Sequence, residues 1–288
     1  MQEYKERTGI HWRHFYGPDG PRAPPELFMW PAKDIGQVHR VTTEAGYWQS
    51  EGCHEGEEAP GRGLFSAFSS PVKKGPCQKP GAVNLTLEVI STAPRAFVIE
   101  NFLSDYEADK IIQLSKDNLG ISTVGNEDGG GARTDATRTS MNTWLGRRSC
   151  EEMETLFLRA ADVLRVNERL LNREENAEDL QVVHYENGQK YDSHHDWGVS
   201  GYPESRFMTL LMYLTDQPDK KAGGETAFPK ADNGRGIKVH PGKGSAVLFY
   251  NLLEDGNGDD LALHAALPVR PGHEKFLANF WIWTPRRR

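Results

Sequence analysis

The spacing of apolar and polar positions changes character along the chain. Leu85, Leu87 and Val89 alternate with polar residues, the period of a strand with one buried face, and Phe97-Val98-Ile99 predicts another short strand. Ser104 and Glu107 stand at capping-box spacing ahead of Ile111, Ile112 and Leu114, which predicts a helix stopped at Gly120. Ser149 and Glu152 repeat the signal ahead of Met153, Leu156, Phe157 and Ala160, predicting another helix with one apolar face. After residue 178 the period shortens. Residues 181–185 run into Asn187-Gly188, which predicts a hairpin, and further strands are predicted over 207–215, 225–228, 237–240, 245–250, 261–269 and 275–283. Short strands parted by Gly and Pro turns, as at 241–244, indicate a sandwich or barrel, with the two preceding helices covering an outer face.

The last predicted strand separates two sets of side chains. Phe276, Ala278, Phe280 and Ile282 fall on one face; Lys275, Leu277, Asn279, Trp281 and Trp283 fall on the other. If the phenylalanine face packs on the helices, the lysine face is turned into the barrel. A lysine there is costly unless an anion pairs with it, and a dicarboxylate would serve. A lysine snorkelling from the strand end is the alternative.

Residues 1–80 carry no sustained period. Pro18, Pro21, Pro24, Pro25, Pro31, Pro60, Pro71, Pro76 and Pro80 lie here, about half of the 17 prolines, which disfavours long helices and central strands. Trp12, Trp30, Trp48, Phe65 and Phe68 argue for contact with a folded body, so an irregular extension draped on a domain spanning 81–288 is expected, with a disordered tail as the alternative.

Bulk properties exclude some roles. A length of 288 residues suffices for one good-sized core, and a formal charge of −7 disfavours a general nucleic-acid binder or an anionic-membrane surface. No apolar run reaches the roughly eighteen residues needed to span a bilayer, and no secretory signal follows Met1. Of the three cysteines, Cys53 and Cys77 could pair, leaving Cys150 alone, or all three could be free; Asn84-Leu85-Thr86 is a glycosylation sequon. Residues 127–133 form a glycine-rich polar loop without the lysine of a phosphate-binding loop. The acidic stretch 254–260 lacks the closing glutamate of a calcium-binding EF-hand and reads as a solvated loop. The terminal Arg286-Arg287-Arg288 reads as a solvated tail.

His194 and Asp196 are two residues apart, so on an extended chain both side chains reach the same side and can grip one metal ion. His195, between them, would point the opposite way. With another imidazole, His264 being the candidate, they would form the two-histidine, one-carboxylate triad of non-haem Fe(II) oxygenases, which leaves coordination positions open for a cosubstrate and oxygen. His184, His240 and His273 read as ordinary polar or turn residues, as do His11, His14, His39 and His54.

Around these residues stand, in order, Phe102-Leu-Ser104, Arg138-Thr-Ser140, Tyr185-x-x-Gly-Gln-x-Tyr191-x-x-His194-x-Asp196, Arg206, Leu211-Met-Tyr-Leu-Thr215, Gly223-Gly-Glu-Thr226-x-Phe-Pro229, Leu263-His264 and Lys275-x-x-x-Asn-x-Trp281. This series resembles the Fe(II)- and 2-oxoglutarate-dependent prolyl 4-hydroxylases over residues 102–283. The resemblance implies an α+β protein with a mainly β core, a double-stranded β-helix (jelly-roll, cupin-like) with supporting N-terminal helices. It further implies Fe(II) on His194, Asp196 and His264, and 2-oxoglutarate held by Lys275, Tyr185 and Thr226. Tyr191, Arg206 and Trp281 are implied to contact a peptide substrate. The implied reaction consumes O2, converts 2-oxoglutarate to succinate and CO2 and hydroxylates C4 of a prolyl residue, with ascorbate as reductant and a proline-containing peptide or protein as partner.

One departure, Trp283 at a position where substrate-binding members often have histidine, motivates an alternative substrate: another protein side chain or a free amino acid. A catalytically silent peptide-binding barrel is the alternative from another class, but it has no need of the triad together with Lys275. A zinc hydrolase would accept the triad and leave Lys275 without a reason. By resemblance the chain is expected in the endoplasmic reticulum or secretory lumen, and its oligomeric state is open.

Overall fold

A computed structural model describes residues 27–50, 76–79, 81–124, 134–198, 205–219 and 221–284. Its elements, in chain order, are β1 (Val38–Thr43), β2 (Trp48–Gln49), β3 (Cys77–Gln78), β4 (Val83–Thr92), β5 (Arg95–Ile99), α1 (Asp105–Ser115), β6 (Gly120–Ile121), β7 (Met141–Leu145) and α2 (Glu151–Leu164). There follow β8 (Leu180–Tyr185), β9 (Tyr191–His194), β10 (Arg206–Tyr213), β11 (Thr226–Phe228), β12 (Ile237–Val239), β13 (Ala246–Tyr250), β14 (His264–Ala266) and β15 (Lys275–Trp283). Nine strands form one sheet in the order β1-β4-β5-β13-β10-β15-β8-β7-β6, and four form another in the order β12-β11-β14-β9. From β8 onward the chain crosses repeatedly between the two: β8, β10, β13 and β15 lie in the large sheet, β9, β11, β12 and β14 in the small one. This winding is the expected double-stranded β-helix.

Side-chain parity sorts the large sheet into two apolar layers. Phe276, Ala278, Phe280 and Ile282 of β15 join Leu180, Val182, Met208, Leu210 and Leu248 in the layer that packs on Ile111 of α1 and on Leu156, Phe157 and Ala160 of α2. The rings of Phe157 and Phe280 stand 4.6 Å apart across it. Leu277 of the opposite face packs with Val183, Tyr185, Leu211, Tyr213, Phe228, Val247 and Phe249, the layer between the sheets. The alternation in the sequence therefore told helix-facing from interior positions on β15 correctly.

Helix α1 opens on the anticipated capping box, with Ser104 accepting from the Glu107 amide and the Glu107 carboxylate accepting from the Ser104 amide. The box expected at Ser149 does not form. Helix α2 starts one residue later than its spacing requires, with Cys150 at the N-cap and no side-chain cap, because Ser149 belongs to a short 3-10 turn. The Asn187-Gly188 turn closes, with Gln189 N donating to Glu186 O at 2.9 Å, but it is not a hairpin: β8 and β9 belong to different sheets and the turn carries the chain between them. The strand expected over 261–269 shrinks to β14, preceded by a 3-10 turn at Asp260–Ala262.

Residues 27–50 are more regular than the composition of the N-terminal region suggests. Strand β1 pairs with β4 at the edge of the large sheet, and Trp30 is buried in the core with its indole N–H on Val163 O at 2.8 Å. A buried ion pair fixes the chain just beyond β1. Arg159 of α2 makes two hydrogen bonds of 2.8 Å to Glu107 and donates to the carbonyls of Ala45, Gly46 and Phe102, while Glu107 also accepts from Trp48 N. The acidic stretch is also not simply solvated: Gly256, Asn257, Gly258 and Asp259 are buried. Cys77 is disulfide-bonded and Cys150 is free. Cys53, Trp12, Phe65, Phe68, the 127–133 loop and Arg286-Arg287-Arg288 lie outside the described residues.

Candidate active site

Strand β14 pairs with β9 in antiparallel register, and His264 lies directly opposite His194. The strand ends at His194, so Asp196 does not share it as the parity argument assumed; it sits in a bend just beyond. The bend still brings its carboxylate between the two imidazoles. His194 Nε2 is 3.7 Å from Asp196 Oδ1, and His264 Nε2 is 3.7 Å from Asp196 Oδ2. One ligand atom from each of the three residues lies within 4.8 Å of the others, a donor set able to hold a metal ion. His195 turns away, with Nε2 3.1 Å from Asp260 O.

Each imidazole is oriented by its other nitrogen. Nδ1 of His194 is 2.8 Å from Asp192 O, and Nδ1 of His264 is 3.0 Å from Ala262 O. A carbonyl only accepts, so the proton sits on Nδ1 and the Nε2 lone pair is presented to the site. Lost solvation, reinforced by the neighbouring His264, pushes the His194 pKa down to about 3, which keeps its ring neutral near pH 7. Burial would raise Asp196, but the positive charge facing it, from His264 and His194 when protonated and from Arg206, outweighs burial and holds the carboxyl below its ordinary range. Neutral imidazoles and an ionised carboxylate are the forms that bind a divalent cation.

The interior face of β15 carries Lys275, which has no exposed surface. Its ammonium donates to Gly224 O at 2.5 Å and lies 5.6 Å and 5.4 Å from the ring centres of Tyr185 and Tyr213. Among the described residues it forms no ion pair. Burial pushes its pKa down to about 7, with Glu225 pulling the other way. Thr226 accepts a 2.7 Å hydrogen bond from the Tyr213 hydroxyl. Burial also raises Tyr185, to about 12, so its hydroxyl stays protonated. Gly224 is required here: its φ is +74°, and a Cβ would lie 3.2 Å from Lys275 Cδ.

Of the remaining candidates, Tyr191 stacks on His194, with ring centres 3.6 Å apart and planes 19° apart. Arg138 lies 4.7 Å from the Tyr191 ring centre. Arg206 is held by Glu178 through bonds of 2.7 and 3.0 Å and stacks on Trp281 at 3.7 Å. Trp281 does more than line a wall: its indole N–H donates to Asp196 Oδ2 at 2.8 Å. Trp283, the departing position, donates to Glu178 Oε1 at 2.7 Å.

Sequence reasoning missed Tyr213, Thr209 and Asn251. Thr209 donates to Asp196 Oδ2 at 2.7 Å, and Asn251 Nδ2 donates to Thr209 Oγ1 at 2.9 Å. A signal existed for Thr209, a polar residue sharing the interior parity of β10 with Leu211 and Tyr213. Asn251 had none, since its partner is 42 positions away.

Comparison with known proteins agrees with this geometry. The sequence profile of the 2OG-Fe(II) oxygenase superfamily matches residues 180–283. The chain is 37% identical over 214 residues to prolyl 4-hydroxylase 2 of Arabidopsis thaliana, covering 67% of this chain and 68% of that one. It is 36% identical over 215 residues to prolyl 4-hydroxylase 5 of the same plant, covering 68% and 70%. Its fold is similar to the viral collagen prolyl hydroxylase of Paramecium Bursaria Chlorella virus-1, solved with 2OG, with a TM-score of 0.51 and 29% identity over 66% of this chain and 96% of that one. Similarity of this extent, with the motifs in the same order and the triad assembled, makes the chain a member of the prolyl 4-hydroxylase family of Fe(II)- and 2-oxoglutarate-dependent oxygenases.

Proposed function

We propose that this protein hydroxylates peptidyl proline, with Fe(II) on His194, Asp196 and His264 and 2-oxoglutarate anchored by Lys275. One observation carries the reading: a triad able to hold a metal stands in the same barrel as a fully buried lysine with no ion-pair partner among the described residues. A metal-binding or hydrolytic site has no use for that lysine, whereas a dicarboxylate cosubstrate neutralises it. When bound, iron supplies the O2 chemistry that couples decarboxylation of 2-oxoglutarate to hydroxylation of the substrate.

The chain's own residues bind, orient and exclude water. Lys275 receives the distal carboxylate, and the protonated Tyr185 hydroxyl and Thr226 complete that end of the cavity. The Asp192 and Ala262 carbonyls fix the ring orientation of the two histidines. The apolar layer of Val183, Leu211, Val247 and Leu277 keeps the space between the sheets dry. Tyr191, Arg206 and Trp281 stand beside the triad, where a prolyl side chain must approach. The names of the Arabidopsis relatives support proline as the target.

Ascorbate is taken as the reductant that maintains Fe(II). A secretory lumen is taken as the compartment, supported by the disulfide at Cys77 and by the exposed Asn84 of the sequon. The test is incubation with Fe(II), 2-oxoglutarate, ascorbate and a proline-rich peptide library. The expected result is succinate formed in step with the gain of one oxygen atom on proline. Turnover confined to other side chains or free amino acids overturns the substrate; no succinate under any condition overturns the activity.

A further inference from the structure

The two oxygens of Asp196 are not equivalent. Oδ2 accepts from the Thr209 hydroxyl at 2.7 Å and from the Trp281 indole at 2.8 Å. Among the described residues no donor comes within hydrogen-bond distance of Oδ1; His194 Nε2 is 3.7 Å and Arg206 Nη1 3.9 Å away. The direction of the Thr209 bond is fixed. Asn251 Nδ2 donates to Thr209 Oγ1, so the Thr209 proton is left to point at Asp196. Trp281 is fixed as well, since Arg206 lies 3.7 Å over its ring and is held by Glu178. All of this is buried: Thr209 is 1% exposed, Asn251 0%, Trp281 5% and Asp196 4%.

From this geometry we infer that Thr209 and Trp281 are positioning residues that commit Asp196 to ligating the metal through Oδ1 alone. The inference rests on the triad reading above and adds to it the oxygen that is used and the residues that choose it. Two fixed donors occupy Oδ2, and turning the carboxylate to chelate with both oxygens would break two buried hydrogen bonds. One-oxygen ligation keeps a further coordination position open for cosubstrate and oxygen. The chain Asn251–Thr209–Asp196 also links the metal carboxylate to the 252–259 loop, because Asp259 N donates to Asn251 O at 2.8 Å.

Co(II) is the probe, because it needs no oxygen-free handling and its visible ligand-field spectrum reports coordination number. The full chain is compared with Thr209→Val, Thr209→Ser, Trp281→Phe and His264→Ala. Thr209→Val and Trp281→Phe are each expected to bind Co(II) about 10–100-fold more weakly than wild type, the range seen for lost outer-sphere partners. Their spectra should move toward the weaker bands of higher coordination as Oδ2 is freed. Thr209→Ser restores the hydroxyl and should restore both readouts. If Thr209→Val and Trp281→Phe bind within about twofold of wild type with unchanged spectra, the positioning role is overturned. Should Thr209→Val fail to fold, Trp281→Phe and Thr209→Ser decide the question on the same two readouts. Wild type failing to take one Co(II), or His264→Ala binding as tightly as wild type, overturns the triad reading instead.

Discussion

His264 faces His194 across the β14–β9 pair, so one strand register brings together imidazoles 70 residues apart in sequence (264 minus 194). The register shifts between His264 and Ala266, but the His264–His194 pairing itself is specific, because a slip of one residue there would turn His264 to the other face of its strand. The carboxylate comes from the bend beyond β9, where Thr209 and Trp281 hold it.

Removing an imidazole from this pair should abolish metal binding without unfolding the barrel. His194→Ala and His264→Ala are each expected to weaken Co(II) or Fe(II) affinity beyond about 100-fold, with an unfolding midpoint close to that of the metal-free wild type. Equilibrium dialysis with metal analysis checks the affinity, circular dichroism the midpoint. A His264→Ala protein that keeps stoichiometric metal would place the ion elsewhere.

Some of this was legible in the sequence alone. Strand β15 shows why: buried on both faces, it still separates Phe276 and Phe280 from Lys275 and Leu277, because one face meets the helices and the other the interior. Strand β7 was invisible because its run Met-Asn-Thr-Trp-Leu has no burial alternation, and β1 was hidden in a proline-rich stretch. The Asn187-Gly188 turn was legible as a turn but not as a crossover, since local sequence does not say which sheet receives the next strand. The same limit hid Asn251, whose role depends on a contact between distant strands.

Gly258 illustrates a constraint that the acidic character of its loop concealed. A Cβ there would lie 2.5 Å from Trp197 Cδ2, and Trp197 is tied to the same loop by its indole N–H on Asp259 O at 3.0 Å. Gly258→Ala must displace either the ring or the loop that leads into His264. A loss of about 1–3 kcal/mol in stability is expected, with weaker metal binding in proportion. Urea unfolding of the metal-free protein and a Co(II) titration check the pair; wild-type stability would mean that the ring moves freely.

The Arg159–Glu107 pair should behave as a buried charge clamp. Both side chains are almost wholly buried, and each single removal leaves the other charge without its partner. Arg159→Met or Glu107→Leu is expected to cost about 3–5 kcal/mol. The double variant should cost less than the sum of the two, because no lone charge remains. Denaturant unfolding of the four proteins completes the cycle. Additive losses would show that the carbonyls of Ala45, Gly46 and Phe102, and not Glu107, are what Arg159 serves.

Lys275 makes cosubstrate binding weaken as pH rises. Its pKa, ordinarily 10.5, is pushed down to about 7 by burial in the free protein. Between those values the unfolded chain holds a proton that the folded one lacks. Stability of the metal-free, ligand-free protein should therefore rise with pH across this window and carry the full cost of the buried charge below about pH 7. A dicarboxylate reverses the balance by stabilising the ammonium, so binding above pH 7 takes up a proton. Affinity for 2-oxoglutarate should then fall as pH rises, by up to about tenfold per unit. Lys275→Met removes both effects: the free protein gains stability at pH 7, and the remaining, weaker affinity loses its slope. Calorimetry in two buffers of different ionisation enthalpy reads the proton uptake directly. Equal heats in the two buffers at pH 8, with affinity flat between pH 7 and pH 9, would mean that Lys275 is charged throughout and that another group compensates it.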